Sequence, residues 1–315
     1  MELIRGLVNL KPRHRGTVAS IGNFDGVHLG HRAVLQDLVR RAKSMGLPAT
    51  VVLFEPQPQE YFAGPKAPAR LTRFMEKWPE LKATGVDRVL CLKFDRSLAA
   101  MPAEDFIARL LAQGLGVRHL TVGDDFRFGH DRRGDFGMLK AAGGNLGFEV
   151  ADTTSVMVAA ERVSSTRIRA LLAAGDMEGA QALLGRPYSL TGRVMHGERL
   201  GRRLGFPTVN LALKRETPPV SGIFAARVTG LAGGSRDAAA YIGRRPAAGG
   251  TELVVEAHLL DYDGDLYGRR LEVQLLQRLR DDRHFDSLDG LAAQVRLDLI
   301  ATRAWLDENV DRKTD

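Results

Sequence analysis

The sequence contains very little cysteine. Of its 315 residues only Cys91 is a cysteine, so neither an intramolecular disulfide nor a cysteine-based zinc site can form. Cys91 lies in residues 88–94, an apolar run that predicts a buried strand, where a lone cysteine usually acts as a small apolar filler. The sequence therefore argues against a disulfide-stabilised or zinc-finger protein.

Long hydrophobic runs are also missing. No stretch approaches the roughly 20 consecutive apolar residues of a membrane-spanning helix. The N-terminus carries Glu2 and Arg5 and lacks the apolar run of a signal peptide. By elimination, these absences predict a cytoplasmic protein with no membrane partner.

Aromatic residues are scarce, at 6% of the chain, whereas the formal net charge is +7 and the pI is about 9.7. A basic balance suits an anionic partner without identifying it. A nucleic-acid-binding protein would interleave basic residues with aromatics along one face, but the arginines here group around the motifs described below. We therefore expect no nucleic-acid partner, and either a phosphorylated small molecule or simply a solvated, arginine-rich surface.

The first half of the chain alternates short apolar runs with helical patterns. Residues 17–22, 49–54, 88–94 and 118–122 predict strands, and residues 102–113 and 165–174 predict helices. Residues 34–42 repeat apolar side chains at helical spacing, and Gly46 supplies a C-cap. Strands that alternate with helices predict a doubly wound, Rossmann-like parallel sheet.

The pattern changes near residues 185–187. Beyond them, short strand-like runs are separated by glycine and proline without helical patterns between them, which predicts a compact antiparallel β-barrel. Apolar residues from Leu288 to Leu299 then mark one amphipathic C-terminal helix. We therefore expect two domains, residues 1–185 and 186–315. The strand-like runs are residues 189–194, 222–228, 238–242, 253–260 and 271–279, and residues 231–236 predict a flexible hairpin loop.

A glycine- and histidine-rich segment, residues 20–31, joins the first predicted strand to the first predicted helix. A helix N-terminus presents free backbone N–H groups and a positive dipole end, which favour phosphate. His28 and His31 are three residues apart, so both rings can face one phosphate and donate hydrogen bonds or carry positive charge. A pair of surface histidines at a helix start is the plainer interpretation, but strand, glycines, H-x-G-H and helix together favour a nucleotide site.

A second segment, residues 163–169, has Ser165 and Thr166 at the start of another predicted helix, with Arg169 one turn further on. Serine and threonine at this position are ordinary capping residues when considered alone. Together with the Arg169 guanidinium, their hydroxyls could hold a triphosphate from the side opposite the histidines.

These two segments resemble the signatures of the H-x-G-H nucleotidyltransferases, and more closely those of the prokaryotic bifunctional riboflavin kinase/FAD synthetase family. The resemblance covers residues 1 to about 308. It implies ATP-dependent phosphorylation of riboflavin to FMN and transfer of AMP from ATP to FMN, giving FAD, with a divalent metal, Mg²⁺, in both steps. In the first domain it implies catalytic roles for His28, His31 and Arg169. The implied ATP-binding residues there are Gly22, Asn23, Phe24, Gly26, Gly30, Ser164, Ser165 and Thr166.

Two further loops resemble the FMN pocket of this family, and both leave the carboxyl ends of predicted strands, where open α/β sheets bind ligands. The first contains Phe62, and the second contains Asp125, Arg127 and Phe128. The resemblance implies that Phe62 and Phe128 stack on the flavin ring, which contributes about 1 kcal/mol beyond area burial. The alternatives are that these phenylalanines belong to the core, and that Arg127 pairs with Asp124 rather than with the FMN phosphate.

The second half carries motifs that resemble riboflavin kinases. Its G-F-P-T-x-N segment implies Thr208 and Asn210 as ligands of the ATP-bound metal, since both offer hard neutral oxygens that suit Mg²⁺. Glu256 alternates with apolar residues on a predicted strand and matches the general base for the 5′-hydroxyl of riboflavin; a structural ion pair is the competing account. Arg280 and Phe285 could close over the flavin or belong to a solvated face. The implied ATP-binding residues of this half are Gly192, Arg193, His196, Gly197 and Gly201.

The chain departs from the family pattern at residues 241–247, where Arg244 and Ala247 stand at positions that commonly carry hydroxyl groups. This difference could weaken the kinase, alter flavin affinity or be harmless. Two alternative functions therefore stay open for the whole chain. The chain could be an FAD synthetase with an impaired kinase domain. It could also be a nucleotidyltransferase for another phosphorylated substrate, with a C-terminal half that only binds.

Overall fold

A computed structural model of the protein describes residues 1–153, 157–158, 161–197, 201, 204–213, 217–247 and 250–309. The chain forms two compact units. The first unit consists of Met1–Pro68 and Thr72–Ser164, and the second of Ala69–Leu71 and Ser165–Asp315. The chain therefore passes from the first unit to the second between Ser164 and Ser165, within the second predicted nucleotide signature, residues 163–169. The predicted division of activities at residue 185 stays a prediction.

The first unit is built on a six-stranded sheet in which every neighbouring pair is parallel, in the order β1-β4-β3-β2-β5-β6. The strand order reverses at β2, which lies between β3 and β5. In open parallel sheets, ligands bind at the carboxyl ends of the strands beside such a switch point. The strands are β1 (Glu2–Arg5), β2 (Thr17–Ile21), β3 (Ala49–Glu55), β4 (Arg88–Lys93), β5 (Val117–Val122) and β6 (Glu149–Asp152).

Both faces of this sheet are covered, which explains why its central strands are apolar at nearly every position. Alternate residues of one strand pack into two separate cores: Val51 and Leu53 of β3 into one, and Val52 and Phe54 into the other. The helices are α1 (Leu29–Ser44), α2 (Pro58–Ala63), α3 (Phe74–Ala83), α4 (Arg96–Ala99), α5 (Ala103–Asp105), which continues as a π-helix (Phe106–Leu115), and α6 (Phe136–Leu146). A two-stranded ribbon, β7 (Met157–Val158) and β8 (Glu161–Arg162), follows β6.

The second unit is a closed, six-stranded barrel in which every pair is antiparallel, in the order β10-β13-β12-β11-β14-β9. Two helices precede the barrel, and α8 packs on β9 and β14. A long C-terminal helix packs against β11, β12 and β14. The elements are α7 (Ser165–Ala174), α8 (Met177–Leu184), β9 (Tyr188–Met195), β10 (Val209–Ala212), β11 (Gly222–Leu231), β12 (Gly234–Ala247), β13 (Gly250–Leu259), β14 (Arg270–Arg280) and α9 (Leu288–Glu308).

The predicted fold class is confirmed: a parallel α/β sheet is followed by an antiparallel barrel and a C-terminal helix. Within the described ranges, none of the helices combines the length and apolar character that crossing a membrane requires. The hairpin predicted at residues 231–236 is present, but its loop is shorter than predicted, because β11 runs to Leu231 and pairs with β12 from Gly234, leaving a turn of two residues. The segment that carries Phe62, predicted as a loop, forms helix α2. The sequence patterns also missed β1, β6, β7, β8, β10, α3, α4, α6 and α8.

Two adjacent glycines of α6 offer a matched test of packing in the first unit. A methyl group on Gly143 would collide with the Phe148 carbonyl oxygen, whereas one on Gly144 would meet open space. Gly143→Ala should therefore lower the free energy of unfolding by about 2 kcal/mol, and Gly144→Ala should raise it by about 0.5–1 kcal/mol through the unfolded chain. Denaturant unfolding followed by Trp78 fluorescence, with Trp305 replaced by Phe, measures both; equal effects would contradict this account of the packing.

Candidate active sites

The H-x-G-H segment lies where the sequence predicts it, at the start of α1 immediately beyond β2. His28 is the N-cap of α1, and its Nδ1 accepts a hydrogen bond of 3.2 Å from the backbone N–H of His31. The two imidazole rings are stacked, with centroids 3.6 Å apart and planes 16° apart. In a neutral His28 ring, an accepting Nδ1 places the proton on Nε2.

His31 is held as a neutral ring. Burial lowers its pKa well below 6.5, and the neighbouring His28 and Lys77 charges lower it further. Its Nδ1 is buried and has no hydrogen-bond partner among the residues that the structure describes. A buried polar nitrogen in this condition favours a ligand that supplies the missing partner.

The turn between β2 and α1 uses backbone conformations that are costly for ordinary residues. Phe24 and Val27 have φ angles of 45° and 40°, and the β-branched Val27 is especially unfavourable there. Thr72 holds the turn: its backbone N–H donates to the Asp25 carboxylate at 3.0 Å, and its Oγ1 accepts from the Gly26 N–H at 2.8 Å. The sequence predictions missed Asp25 and Thr72, whereas the predicted residues Gly22, Asn23, Phe24, Gly26 and Gly30 all lie in or beside this turn.

The second predicted nucleotide signature is divided between the two units. Val163 and Ser164 end the first unit, and a methyl group on Gly30 would lie 3.4 Å from the Val163 carbonyl oxygen. Ser165 and Thr166 open α7 in the second unit, where Nε of Arg169 donates to the Ala69 carbonyl at 2.5 Å. The start of the signature thus lies beside α1, and the roles of the three residues in α7 stay predictions.

Phe62 is an exposed aromatic residue, as a flavin-stacking role requires. Its side chain is 69% exposed and lies on α2, after the carboxyl end of β3. The Tyr61 and Phe94 rings lie 5.2 and 5.7 Å from it, in edge-to-face contact. The sequence analysis did not single out Tyr61 or Phe94, which extend this aromatic surface.

The structure favours the core alternative for Phe128. Its side chain is 6% exposed and lies beside Phe106 and Phe126, at centroid distances of 5.1 and 5.6 Å. Phe126 is half-buried, so it is the aromatic residue of this loop that is more open to a ligand. Asp125 and Arg127 are exposed, and Arg127 donates to the Phe126 carbonyl at 3.3 Å rather than to Asp124.

The barrel unit contains a cavity of about 520 Å³ between the strands and α9. Thr208, Glu256, Arg280 and Phe285 all line it, so the structure brings together four residues that the sequence predicted for one site. Glu256 is half-buried on β13, and its strand neighbours are Asn210 on β10 and Tyr241 on β12. A volume of this size is within the range of cavities that bind drug-sized ligands.

Two glycines keep space beside the predicted metal ligands. A methyl group on Gly197 would lie 2.6 Å from Nδ2 and 2.8 Å from Oδ1 of Asn210. One on Gly201 would collide with the Phe206 carbonyl oxygen and lie 3.2 Å from the Thr208 hydroxyl. Within the described residues, no three His, Cys, Asp or Glu side chains converge on a metal position. The roles of Thr208 and Asn210 as metal ligands stay predictions.

The other residues of the predicted kinase nucleotide loop differ in exposure: Gly192 is buried in the barrel, whereas Arg193 and His196 are exposed. Gly192 is explained by barrel packing, since a methyl group there would lie 2.9 Å from Cβ of Leu211. Arg193 is exposed on β9. The exposed His196 ring lies 3.9 Å from the Tyr267 ring, so these two form an aromatic platform at the end of β9.

Arg280 joins β14 to the C-terminal helix. Its Nε and Nη2 donate to the two carboxylate oxygens of Asp298 at 2.8 and 2.7 Å. Such a two-point contact fixes the plane of the guanidinium. Phe285 lies 5.9 Å from Arg280 and 4.7 Å from Arg283, measured from each guanidinium carbon to the ring centre. Arg280 thus builds the cavity wall, and contact of either Arg280 or Phe285 with flavin stays a prediction.

Comparison with known proteins decides the family. One family model, described as FAD synthetase, matches residues 10–167, and another, described as Riboflavin kinase, matches residues 184–306. The bifunctional riboflavin kinase/FMN adenylyltransferase of Pseudomonas fluorescens is 50% identical over 96% of this chain and 97% of that protein. The protein of the same description from Escherichia coli K12 is 48% identical over 97% of this chain and 98% of its own length.

The chain belongs to the bifunctional riboflavin kinase/FMN adenylyltransferase family. A crystal structure described as a macrolide-efflux protein from Streptococcus pneumoniae is also similar, with a TM-score of 0.81 and 29% identity. The match covers 97% of this chain and 100% of that chain. The FAD synthetase and Riboflavin kinase models thus match successive parts of one chain.

Arg244, where the sequence differs from the pattern it otherwise resembles, lies at the cavity of the barrel unit. Arg244 lines that cavity, and its Nη2 donates to the Thr217 hydroxyl at 3.2 Å. The side chain of Ala247 lies outside the described residues. Arg244 therefore places a cationic side chain in the wall of the cavity that Glu256 also lines.

The low pKa of His31 predicts a pH dependence of stability. In the unfolded chain the His31 ring becomes protonated near pH 6.5, whereas in the folded unit it becomes protonated only at a lower pH. The unfolded state therefore binds more protons in that window, and stability falls as the pH decreases below 6.5. His31→Gln should flatten this part of the profile, measured by denaturant unfolding between pH 7.5 and 5. An identical slope in both proteins would contradict the assignment, and His130→Gln, at an exposed histidine, is the control.

Proposed function

We propose that this chain phosphorylates the 5′-hydroxyl of riboflavin with ATP to give FMN, and then transfers AMP from a second ATP to FMN, giving FAD and pyrophosphate. One observation carries the proposal: a single chain contains both the stacked histidines at the start of α1 and the barrel cavity lined by Thr208 and Glu256. The family membership supports both reactions.

Adenylyl transfer belongs to the first of these sites. An oxygen of the FMN phosphate attacks the α-phosphorus of ATP, the bond to the β-phosphate oxygen breaks, and pyrophosphate leaves with that electron pair. Nε2–H of His28 and the backbone N–H groups of α1 would donate to the phosphate oxygens as charge develops on them. No protein nucleophile is needed, because positioning and charge stabilisation account for catalysis of phosphoryl transfer.

The remaining roles proposed for this site are binding roles. Arg169, with the hydroxyls of Ser165 and Thr166, would hold the triphosphate, and Phe62 would stack on the flavin ring. The exposure of Phe62 supports its role, and the neighbouring Tyr61 widens the apolar surface that a flavin ring would cover. Asp125 and Arg127 would contact the polar edge or phosphate of FMN.

Riboflavin phosphorylation belongs to the barrel cavity. The Glu256 carboxylate would take the proton of the 5′-hydroxyl while the hydroxyl oxygen forms its bond to the γ-phosphorus and ADP leaves. The position of Glu256 in the lining of the same cavity as Thr208 supports this role. Phe285 and Arg280 would bound the flavin from the side of α9.

We also propose that Thr208 and Asn210 hold Mg²⁺ together with the phosphates of ATP. The metal would supply positive charge that neutralises the phosphate oxygens during transfer. Thr208 lines the same cavity as Glu256, and Asn210 is the strand partner of Glu256, which supports this assignment. The kinase nucleotide loop, including Arg193 and His196, would cover the phosphates.

A cytoplasmic location without nucleic-acid or membrane partners completes the proposal. Its support is that many arginines are used within the chain rather than presented as a basic surface. Ion pairs join arginine to a carboxylate at Arg13–Glu2, Arg32–Glu80, Arg227–Asp237, Arg280–Asp298 and Arg303–Asp261.

Incubation of the purified protein with riboflavin, ATP and Mg²⁺ tests the proposal, with riboflavin, FMN and FAD resolved over time by chromatography. FMN should appear first and then convert to FAD. A parallel reaction starts from FMN. FAD in the second reaction but unchanged riboflavin in the first would show a synthetase with a disabled kinase, for which Arg244 in the cavity wall is the candidate cause. Absence of FAD from both would overturn the substrate assignment.

Separate sites predict separable losses of activity. His28→Ala should lower FAD formation from FMN by about 100-fold or more, the size of effect seen when a transition-state donor is removed, and leave riboflavin phosphorylation unchanged. Glu256→Gln should lower phosphorylation by about 100-fold or more and spare FAD formation. His130→Ala and Glu272→Gln, at polar positions of the same two units, are the controls. Loss of both activities in either variant would contradict separate sites.

We propose that the kinase activity resides in residues 186–315 and the adenylyltransferase activity in residues 1–185. Met177, Leu183 and Leu184 of α8 are buried within the barrel unit, so their removal should cost about 5 kcal/mol or more of its stability, at about 1.5–3 kcal/mol for each side chain. Fragments 165–315 and 186–315 should therefore both phosphorylate riboflavin, with a lower melting temperature for the shorter one. Failure of both folded fragments to phosphorylate riboflavin would contradict this division.

A further inference from the structure

A lysine is buried beneath the H-x-G-H turn. Lys77 on α3 has 1% of its surface exposed, although an ammonium group strongly favours water. Its Nζ donates a hydrogen bond of 2.5 Å to the backbone carbonyl of Asn23, in the turn between β2 and α1. The fold therefore keeps a buried cation against the loop on which His28 and His31 depend.

The segment that contains Lys77 contacts this loop at three levels. Before α3, Thr72 bonds to Asp25 and Gly26 at the left-handed part of the turn. In the middle of α3 lies the bond from Lys77 to the Asn23 carbonyl. One turn later, Glu80 accepts from the Arg32 guanidinium at 2.5 Å, immediately beyond His31. Residues 72–80 thus stabilise the turn along its whole length, and that turn includes the costly left-handed backbone of Phe24 and Val27.

The geometry points to Lys77 as a positioning residue for adenylyl transfer: we propose that it holds the Asn23 carbonyl, and through it the turn, so that His28 and His31 face the nucleotide as a stacked pair. This inference rests on the proposed function of the first unit. Lys77 does not need to touch either substrate to act in this way.

The charge of Lys77 supports the same role. Together with burial and the neighbouring His28, it lowers the pKa of His31. Charged Arg32 follows His31 on α1, but its guanidinium is paired with Glu80. A neutral His31 ring can stack on His28 at 3.6 Å, whereas two cationic rings at that separation would repel each other.

Three variants in the full-length protein separate this role from a general packing role. Lys77→Met keeps the length of the side chain but removes both the charge and the hydrogen bond. Lys77→Gln removes the charge and keeps a shorter polar group. Lys82→Met, at an exposed lysine of the same helix, is the matched control. The measurements are kcat and KM for FAD formation from FMN, the rate of riboflavin phosphorylation, and the NMR titration of the His31 ring.

We expect kcat for FAD formation to fall at least 10-fold in Lys77→Met and by less in Lys77→Gln, with riboflavin phosphorylation within two-fold of the parent protein. The pKa of His31 should rise in both variants and stay unchanged in Lys82→Met. An unchanged His31 titration in folded Lys77→Gln, or a kcat within two-fold of the parent in folded Lys77→Met, would overturn the proposal.

The outcomes distinguish this inference from the proposed function. If the parent protein forms no FAD from FMN, the proposed function fails, while the His31 titration still shows whether Lys77 acts on the H-x-G-H turn. If Lys77→Met does not fold, Lys77→Gln alone decides: a raised His31 pKa with reduced kcat supports the proposal, and no change in either overturns it.

Discussion

The first unit depends on how β2 passes into α1. The strand order of the sheet reverses at β2, so the chain leaves the sheet at the edge where ligands of such sheets bind. The turn must then aim the free N–H groups of α1 at that edge within a few residues, and it does so with left-handed backbone at Phe24, Gly26 and Val27. The bonds from Thr72 and Lys77 follow from this constraint, because an unsupported turn of this kind would relax.

In the proposed kinase reaction, the barrel has to bind phosphate with other groups than a helix N-terminus. A closed antiparallel barrel offers no helix N-terminus at its centre, so the groups available are side-chain oxygens and glycine backbone. Thr208 and Asn210 have that environment beside Gly197 and Gly201. In the proposed reactions the two units also differ in proton transfer: transfer of AMP to FMN needs no base, whereas phosphorylation of a hydroxyl does, and the barrel cavity is lined by the Glu256 carboxylate.

Sequence patterns found the elements that are long and apolar and missed those that are short, polar or interrupted. Strands β2 and β3 are almost entirely buried and were predicted, whereas β6 is mostly polar and β10 has four residues. Helix α3 contains Pro79, which argues against a helix when only local propensity is considered. For the proposed sites, motifs pointed to His28 and Glu256, whose roles stay predictions. They could not identify Lys77, because its contact with Asn23 joins residues 54 positions apart and lysine is an ordinary residue on a helix.

Packing and function divide the chain at different points. By packing, the second unit begins at Ser165 and includes α7 and α8. By motif, Ser165, Thr166 and Arg169 belong with the histidines of the first unit, and the FAD synthetase match ends at residue 167. Helix α7 is thus anchored in one unit by Ile168 and Leu172, which are buried, while its first residues carry the signature of the other.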